Sequence, residues 1–192
     1  GMVKSAAWVD LDQDGKMDLV VVGEWMPITI LMHRDGRLIN ETDKFGLANT
    51  SGWWNTVEIG DLNGDGFPDL VLGNLGLNSR LKTSEEAPVR MYVKDFDGNG
   101  SLEQILTYHK DGKEYTIATR DELVKQIPLL KKDFVRHSDF AGKTVAEIFK
   151  KFKLADAKLL EAREFESVIL FNNVGKGFTI QPLPIEAQFA PI

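Results

Sequence analysis

"DLDQDGKMD", residues 10–18, places acidic side chains at its first, third, fifth and ninth positions around a single glycine. Four carboxylates in so short a loop repel one another, and each ionises less readily beside the others. Such a loop closes only if something positive offsets the repulsion. The same grammar, D-x-[DN]-x-[DN]-G-x-x-[DE], returns as "DLNGDGFPD" at 61–69 and as "DFDGNGSLE" at 95–103. Three copies with every oxygen donor in register are a repeat.

Oxygen-only donors at this spacing suit a hard divalent cation, calcium ahead of magnesium, which keeps more water and takes fewer protein ligands. The candidate ligands are the side chains at positions one, three and five, the backbone carbonyl at position seven and the carboxylate at position nine. In the first loop these are Asp10, Asp12, Asp14, Lys16 and Asp18; in the second, Asp61, Asn63, Asp65, Phe67 and Asp69; in the third, Asp95, Asp97, Asn99, Ser101 and Glu103. Up to three structural calcium ions are expected. The third loop, with Asn99 and the longer Glu103, has the poorest donor set. The glycine at position six permits a turn that a Cβ opposes. Asp/Asn/Gly loops also turn without a metal, but the recurring ninth carboxylate favours the metal reading.

Working outward, each loop lies between apolar, β-favouring runs: "SAAWV" and "LVVVG", "WNTVEIG" and "LVLGN", "VRMYVK" and "QILTY". Position twelve is Val21, Leu72 or Leu106 rather than glutamate, so these are not EF-hand loops flanked by helices. Asp35-Gly36 and Asp111-Gly112 sit between further apolar runs, a strong hairpin signal. "FESVILFNN", Gly175-Lys176-Gly177 and "FTIQ" read as another hairpin. Strand pairs recurring with acidic turns predict a mainly β fold of radial, propeller-type blades.

One segment departs from this. Thr119 with Glu122 and Thr144 with Glu147 are capping-box pairs. The first opens a helix that Pro128 kinks or divides. The second opens "TVAEIFKKF", with Val145, Ile148, Phe149 and Phe152 on one face, and a third short helix is expected around 155–162. The expected partition is a first blade at 1–46, a second at 47–89, further blade strands at 90–119 plus 164–192, and a helical insertion at 120–163 that covers a sheet or a neighbouring partner.

Charge supports the local reading of the loops. The chain carries 29 acidic and 23 basic residues, a net charge of −6, yet ten carboxylates lie in the three loops and only 19 acidic residues remain outside them. The basic stripe of a nucleic-acid binder is missing, and Lys131-Lys132 and Lys150-Lys151-Lys153 read as solvated helix faces. No apolar run approaches the roughly 20 residues that cross a bilayer, so membrane insertion of this segment is not expected. Cysteine is absent, which removes disulfides and thiol chemistry. Gly1-Met2 reads as a cloning remnant, and a native signal is expected to be missing from this chain.

The loops and the stretches "LVVVGEWMPITIL", "SGWWNTVEIGDLNGDGFPDLVLGNLGLNS" and "YVKDFDGNG" resemble the FG-GAP/VCBS repeat of integrin α-chain propellers and bacterial surface proteins, in particular its bacterial, ASPIC/UnbV-associated branch. The resemblance implies a seven-bladed propeller, calcium between blade strands, and display outside the cytoplasm, on a cell surface or in the periplasm. Seven blades need more than twice this length, so about three blades of a partial propeller are expected. "AQFAPI" reads as the lead-in to another blade. The open sheet edges of such a fragment can pair with another copy.

Two function classes follow. The first is a calcium-stabilised, extracytoplasmic binding or adhesion module, non-catalytic, with a protein or glycan partner. The second is the propeller portion of a carbohydrate-active enzyme such as a polysaccharide lyase. His33, His109 and His137 fall in no recognisable catalytic motif, and "GNLGLN" at 73–78 is no nucleotide fingerprint. Trp8, Trp25, Trp53 and Trp54 read as packing residues rather than ligand platforms. Trp53 and Trp54 are adjacent, so at most one of them is deeply buried against the same sheet.

Overall fold

In the computed structural model, which describes residues 1–192, the first acidic loop joins two antiparallel strands, β1 (Met2–Val9) and β2 (Asp18–Met26). In β2 the side chains of Asp18, Val20 and Val22 are buried, while Leu19 and Val21 between them are only partly covered. This is the period of two that a strand imposes. A hairpin of β3 (Thr29–Arg34) and β4 (Arg37–Asn40) follows. Its turn residues Asp35 and Gly36 have φ of 50° and 77°, the left-handed pair that Asp-Gly accommodates in a type I′ turn. β5 (Gly52–Trp53) pairs with the far end of β2, so the first sheet runs β1-β2-β3-β4 with β5 also on β2.

The second loop joins β6 (Thr56–Gly60) to β7 (Asp69–Gly73). The chain then departs into a unit of its own, Leu81–Glu161. This holds β8 (Val89–Lys94), the third loop, β9 (Glu103–Lys110), β10 (Lys113–Thr116), the helices α1 (Arg120–Gln126), α2 (His137–Phe140) and α3 (Val145–Ile148), and nearly all of β11 (Lys158–Ala162). Afterwards come β12 (Val168–Asn172) and β13 (Phe178–Pro182), and β12 pairs with β7. The second sheet is therefore β6-β7-β12-β13, and residues 81–161 interrupt it in sequence. The expected grouping of 164–192 with 90–119 is corrected by this pairing: the terminal hairpin exists, but it completes the second sheet.

Residues 1–80 and 162–192 form one unit, whose core lies between its two sheets. Val20, Val22, Ile30 and Met32 of the first sheet, with Ile28 from the connection between β2 and β3, meet Val57, Leu70, Leu72, Val168 and Leu170 of the second. Each such side chain removed from water contributes about 1.5–3 kcal/mol. Trp54 is 1% exposed and its indole N–H donates to the Thr50 carbonyl at 2.8 Å. Trp53, facing the other way, packs between Trp25 and Phe165, with ring centroids 5.2 and 5.0 Å apart. Trp8 is 57% exposed and does not take the packing role expected of it. Asn74 closes the end of β7: its side-chain oxygen accepts the N–H groups of Trp53 (3.1 Å) and Leu75 (2.8 Å), and its amide donates to the carbonyls of Glu164 (3.0 Å) and Glu166 (3.2 Å).

In the second unit the sheet order is β10-β9-β8-β11. Asp111 and Gly112 repeat the left-handed turn pair, with φ of 50° and 71°. Both capping boxes form, at Thr119/Glu122 and Thr144/Glu147, and Pro128 starts a 3₁₀ turn over Pro128–Lys132 after α1 ends. Leu123, Ile127, Leu130, Val145, Ile148 and Phe149 bury themselves against Phe96 and Ile105, so the helical segment covers the sheet of its own unit. The helix expected around 155–162 is instead a 3₁₀ turn at Leu154–Asp156 followed by β11. Pairing with β8 outweighs the helix propensity of "KLLEA". Arg90 on β8 secures it, bonding Glu161 at 2.9 Å and reaching Glu114 at 3.4 Å.

Two measurements check this architecture. Asn74→Ala removes four hydrogen bonds at a buried position and should lower unfolding free energy by about 2–4 kcal/mol in urea titration; a loss under about 0.5 kcal/mol would contradict the role given to Asn74. The Glu147 carboxyl, which accepts the Thr144 N–H and the Lys143 ammonium, is held down from 4.5 to about 2. Its contribution to the α3 cap is complete above about pH 4.5 and fades as pH falls through about 2. A carboxyl NMR titration should place its midpoint near 2.

Candidate metal-binding loops

The three acidic loops share one hydrogen-bond design. At position one, Asp10 accepts the N–H groups of Asp14 (3.1 Å) and Gly15 (2.9 Å), Asp61 those of Gly64 (2.8 Å) and Gly66 (3.0 Å), and Asp95 those of Gly98 (2.7 Å) and Gly100 (2.9 Å). At position five, Asp14, Asp65 and Asn99 accept the N–H of position seven, from Lys16 (2.9 Å), Phe67 (2.8 Å) and Ser101 (2.7 Å). These N–H groups favour the charged form and hold Asp95 below the usual carboxylate range; Asp14 is lowered by the Lys16 N–H first and by the charges of Lys16 and Arg34 after it.

Folding the loop this tightly needs left-handed backbone twice. Position six has φ of 82°, 87° and 89° at Gly15, Gly66 and Gly100. Position four is also left-handed, at Gln13 (57°), Gly64 (77°) and Gly98 (76°). The sequence pattern exposes the first requirement; glycine in two of the three loops was the available signal for the second.

The position-nine carboxylates are buried: Asp18 and Asp69 are 0% and Glu103 6% exposed. One oxygen of each accepts the N–H of position two in its own loop, from Leu11 (3.0 Å), Leu62 (2.9 Å) and Phe96 (2.7 Å). The other oxygen of Asp18 accepts the N–H of His33 on β3 at 2.7 Å, and that of Asp69 accepts the N–H of Asn172 on β12 at 2.8 Å. The two bonds are equivalent, although Asn172 lies 103 residues beyond Asp69 and His33 only 15 beyond Asp18. Asn172 also joins the first two loops, its side-chain amide donating to the carbonyls of Leu11 (2.9 Å) and Pro68 (3.1 Å). Gln13 donates across to the Gly66 carbonyl at 2.6 Å.

Oxygens of Asp10, Asp12 and Asp18 lie within 4.8 Å of one another, as do those of Asp95, Asp97 and Glu103. Asp14 is not drawn into its cluster: it turns to Lys16 at 3.5 Å and Arg34 at 3.7 Å. In the second loop Asn63 replaces the third carboxylate and is bonded to Asp65, accepting its N–H at 2.9 Å and donating to its side chain at 3.0 Å. The donor set fits a hard dication, and one further observation agrees with it: Oδ1 of Asp12 is buried without a hydrogen-bond partner, an acceptor that a cation would satisfy. Of the histidines, His33 serves the first loop through its backbone N–H, while His109 and His137 lie elsewhere, with His109 Nδ1 2.9 Å from the Pro88 carbonyl and His137 Nε2 3.2 Å from Asp121.

Residues 10–72, spanning the first two loops and the strands β2 to β7, match the family model of the FG-GAP-like repeat. This part of the chain is similar to an FG-GAP-like repeat, and the antiparallel sheets are compatible with partial propeller-type blades. No curated protein and no solved structure matches the chain significantly. No helix is long and apolar enough to cross a membrane.

Asp69→Asn tests the clamp itself. An amide has one acceptor oxygen where the carboxylate has two, so one buried N–H, of Leu62 or Asn172, is left facing an NH₂ group. The expected loss is about 2–3 kcal/mol in denaturant unfolding, against under about 0.5 kcal/mol for the exposed Asp35→Asn.

Proposed function

We propose that the protein is a calcium-stabilised, extracytoplasmic binding module in which the metals are structural and the partner is a protein or a glycan. The observation that carries this reading is the shared loop geometry, with acidic oxygens converging in the first and third loops and an orphaned buried oxygen on Asp12. Asp10, Asp12 and Asp18 would hold one ion, Asp95, Asp97 and Glu103 another, and Asp61, Asn63 and Asp69 a third, each with help from its position-seven carbonyl. Bound calcium supplies charge neutralisation and a fixed loop shape. Calcium at the millimolar levels found outside cells fills even weak oxygen sites, which agrees with display at a cell surface or in the periplasm.

The non-catalytic part of the reading rests on how the carboxylates are used. Asp10, Asp18, Asp61 and Asp69 accept two backbone N–H groups each and Asp95 accepts three, which commits these carboxylates to holding the loops. The propeller-type blades of an FG-GAP-like repeat supply a rigid surface from which loops engage a partner. The edge strands β1 and β4 of the first sheet also leave backbone groups available to a second copy.

Calcium should raise thermal stability. A single site held at 100 times its dissociation constant adds about 2.7 kcal/mol, or about 5–10 °C for a chain of this size. Melting in chelator and then with millimolar calcium restored should show a reversible shift of that order, and a midpoint unmoved by either would contradict the metal reading.

A further inference from the structure

The three loops are not electrically alike. The first carries four carboxylates, Asp10, Asp12, Asp14 and Asp18, whereas the second and third carry three each. Its extra charge is met within the protein. Arg34 bonds Asp12 Oδ2 at 2.9 Å, stands 3.7 Å from Asp14, and is steadied on its other side by Glu41 at 3.7 Å. Lys16 adds a second cation 3.5 Å from Asp14. No lysine or arginine forms an ion pair with the six carboxylates of the other two loops.

The hairpin turn fixes where this guanidinium stands. Arg34 is the last residue of β3, paired with Arg37 across the left-handed Asp35-Gly36 turn. A planar guanidinium keeps its charge at every accessible pH and holds a carboxylate oxygen in a defined direction. By taking Oδ2 of Asp12 it leaves Oδ1 buried and without a hydrogen-bond partner. Arg34 therefore offsets charge of the loop while leaving one oxygen of Asp12 free to meet a cation. With Glu41 itself paired to Lys44 at 2.7 Å, the loop's four negative and two positive charges leave two, the charge of one dication; each of the other loops retains three.

We propose that Arg34 is a built-in counter-ion that keeps the first loop closed whether or not a metal is bound, so the loops differ in metal dependence. The first holds its conformation in the absence of a dication, and the second and third open when it is removed. This rests on the calcium reading above for the second and third loops, whereas the role of Arg34 in the first stands on its own ion pairs.

Amide hydrogen exchange on the full chain, measured in calcium and in chelator, separates the two. The reporters are the loop N–H groups bonded to carboxylates or side-chain amides: Gly15 and Lys16, Gly66 and Phe67, Gly100 and Ser101. In the wild type, chelation should speed exchange at the last four by about tenfold or more and at the first two by less than about threefold. In R34M, three partly exposed ion pairs are lost, two of them to the loop, and Gly15 and Lys16 should exchange roughly two- to tenfold faster in chelator and recover in calcium. R34K, which keeps the charge on a different geometry, should fall between. Unchanged amides of Val20 and Val22 show that the first sheet is still folded in either variant. The proposal is overturned if the first loop opens with the others in chelator-treated wild type, or if Gly15 and Lys16 stay protected in calcium-free R34M. If chelation moves no loop at all, the calcium reading fails by itself, and calcium-free R34M still decides the role of Arg34: faster exchange supports it, and unchanged exchange overturns it.

Discussion

A buried carboxylate accepting two backbone N–H groups, one from its own acidic loop and one from a neighbouring strand, is the interaction on which the first unit depends. Asp18 and Asp69 have no exposure, and each ties the loop before its own strand to the strand that follows it in the sheet. A charge placed there is tolerable only because its bonds are charge-assisted and all made. In return it fixes register: a slip of one residue turns the carboxylate to the outer face and strands both N–H groups. The valines, leucines and isoleucines between the sheets supply the larger share of the free energy, but they are interchangeable in a way the carboxylate is not.

That clamp explains why the second sheet can be interrupted. Asp69 requires a third-strand donor, and "GLNSRLKTSEEAP", the stretch that follows β7, supplies no strand for it. Asn172 fills the place from beyond residues 81–161, which form their own unit. It also donates to both loops of the first unit, so the return of the chain is secured by one residue acting through backbone and side chain. In the second unit the corresponding region is closed differently, with the helical segment covering Phe96 and Ile105.

Much of this is legible in the sequence alone. Loops, hairpins and capping boxes are encoded within a few residues by turn chemistry, so Asp35-Gly36, Asp111-Gly112, Thr119/Glu122 and Thr144/Glu147 behave as their local sequence says. The choice of partner for the terminal hairpin was not readable in that way, because the alternation in "SVILFNN" describes a strand without naming its neighbour. Lys158–Ala162 failed for the opposite reason: its residues favour helix locally, and the exposed side of β8 together with Arg90 overrides them. Within the loops the ligand types were legible, while the left-handed fourth position and the approach of Arg34 from a neighbouring hairpin are products of the fold.

The acidic loops thus serve first as strand connectors whose carboxylates are oriented by N–H groups, and the metal reading builds on that orientation. The most direct test of the clamp is NMR scalar coupling transmitted through hydrogen bonds. A long-range amide-to-carboxyl correlation experiment should connect the Asn172 N–H to the carboxyl carbon of Asp69, and the His33 N–H to that of Asp18. Both cross-peaks are expected in the folded chain. Their absence, with the Asn172 amide exchanging as freely as an exposed one, would contradict the account.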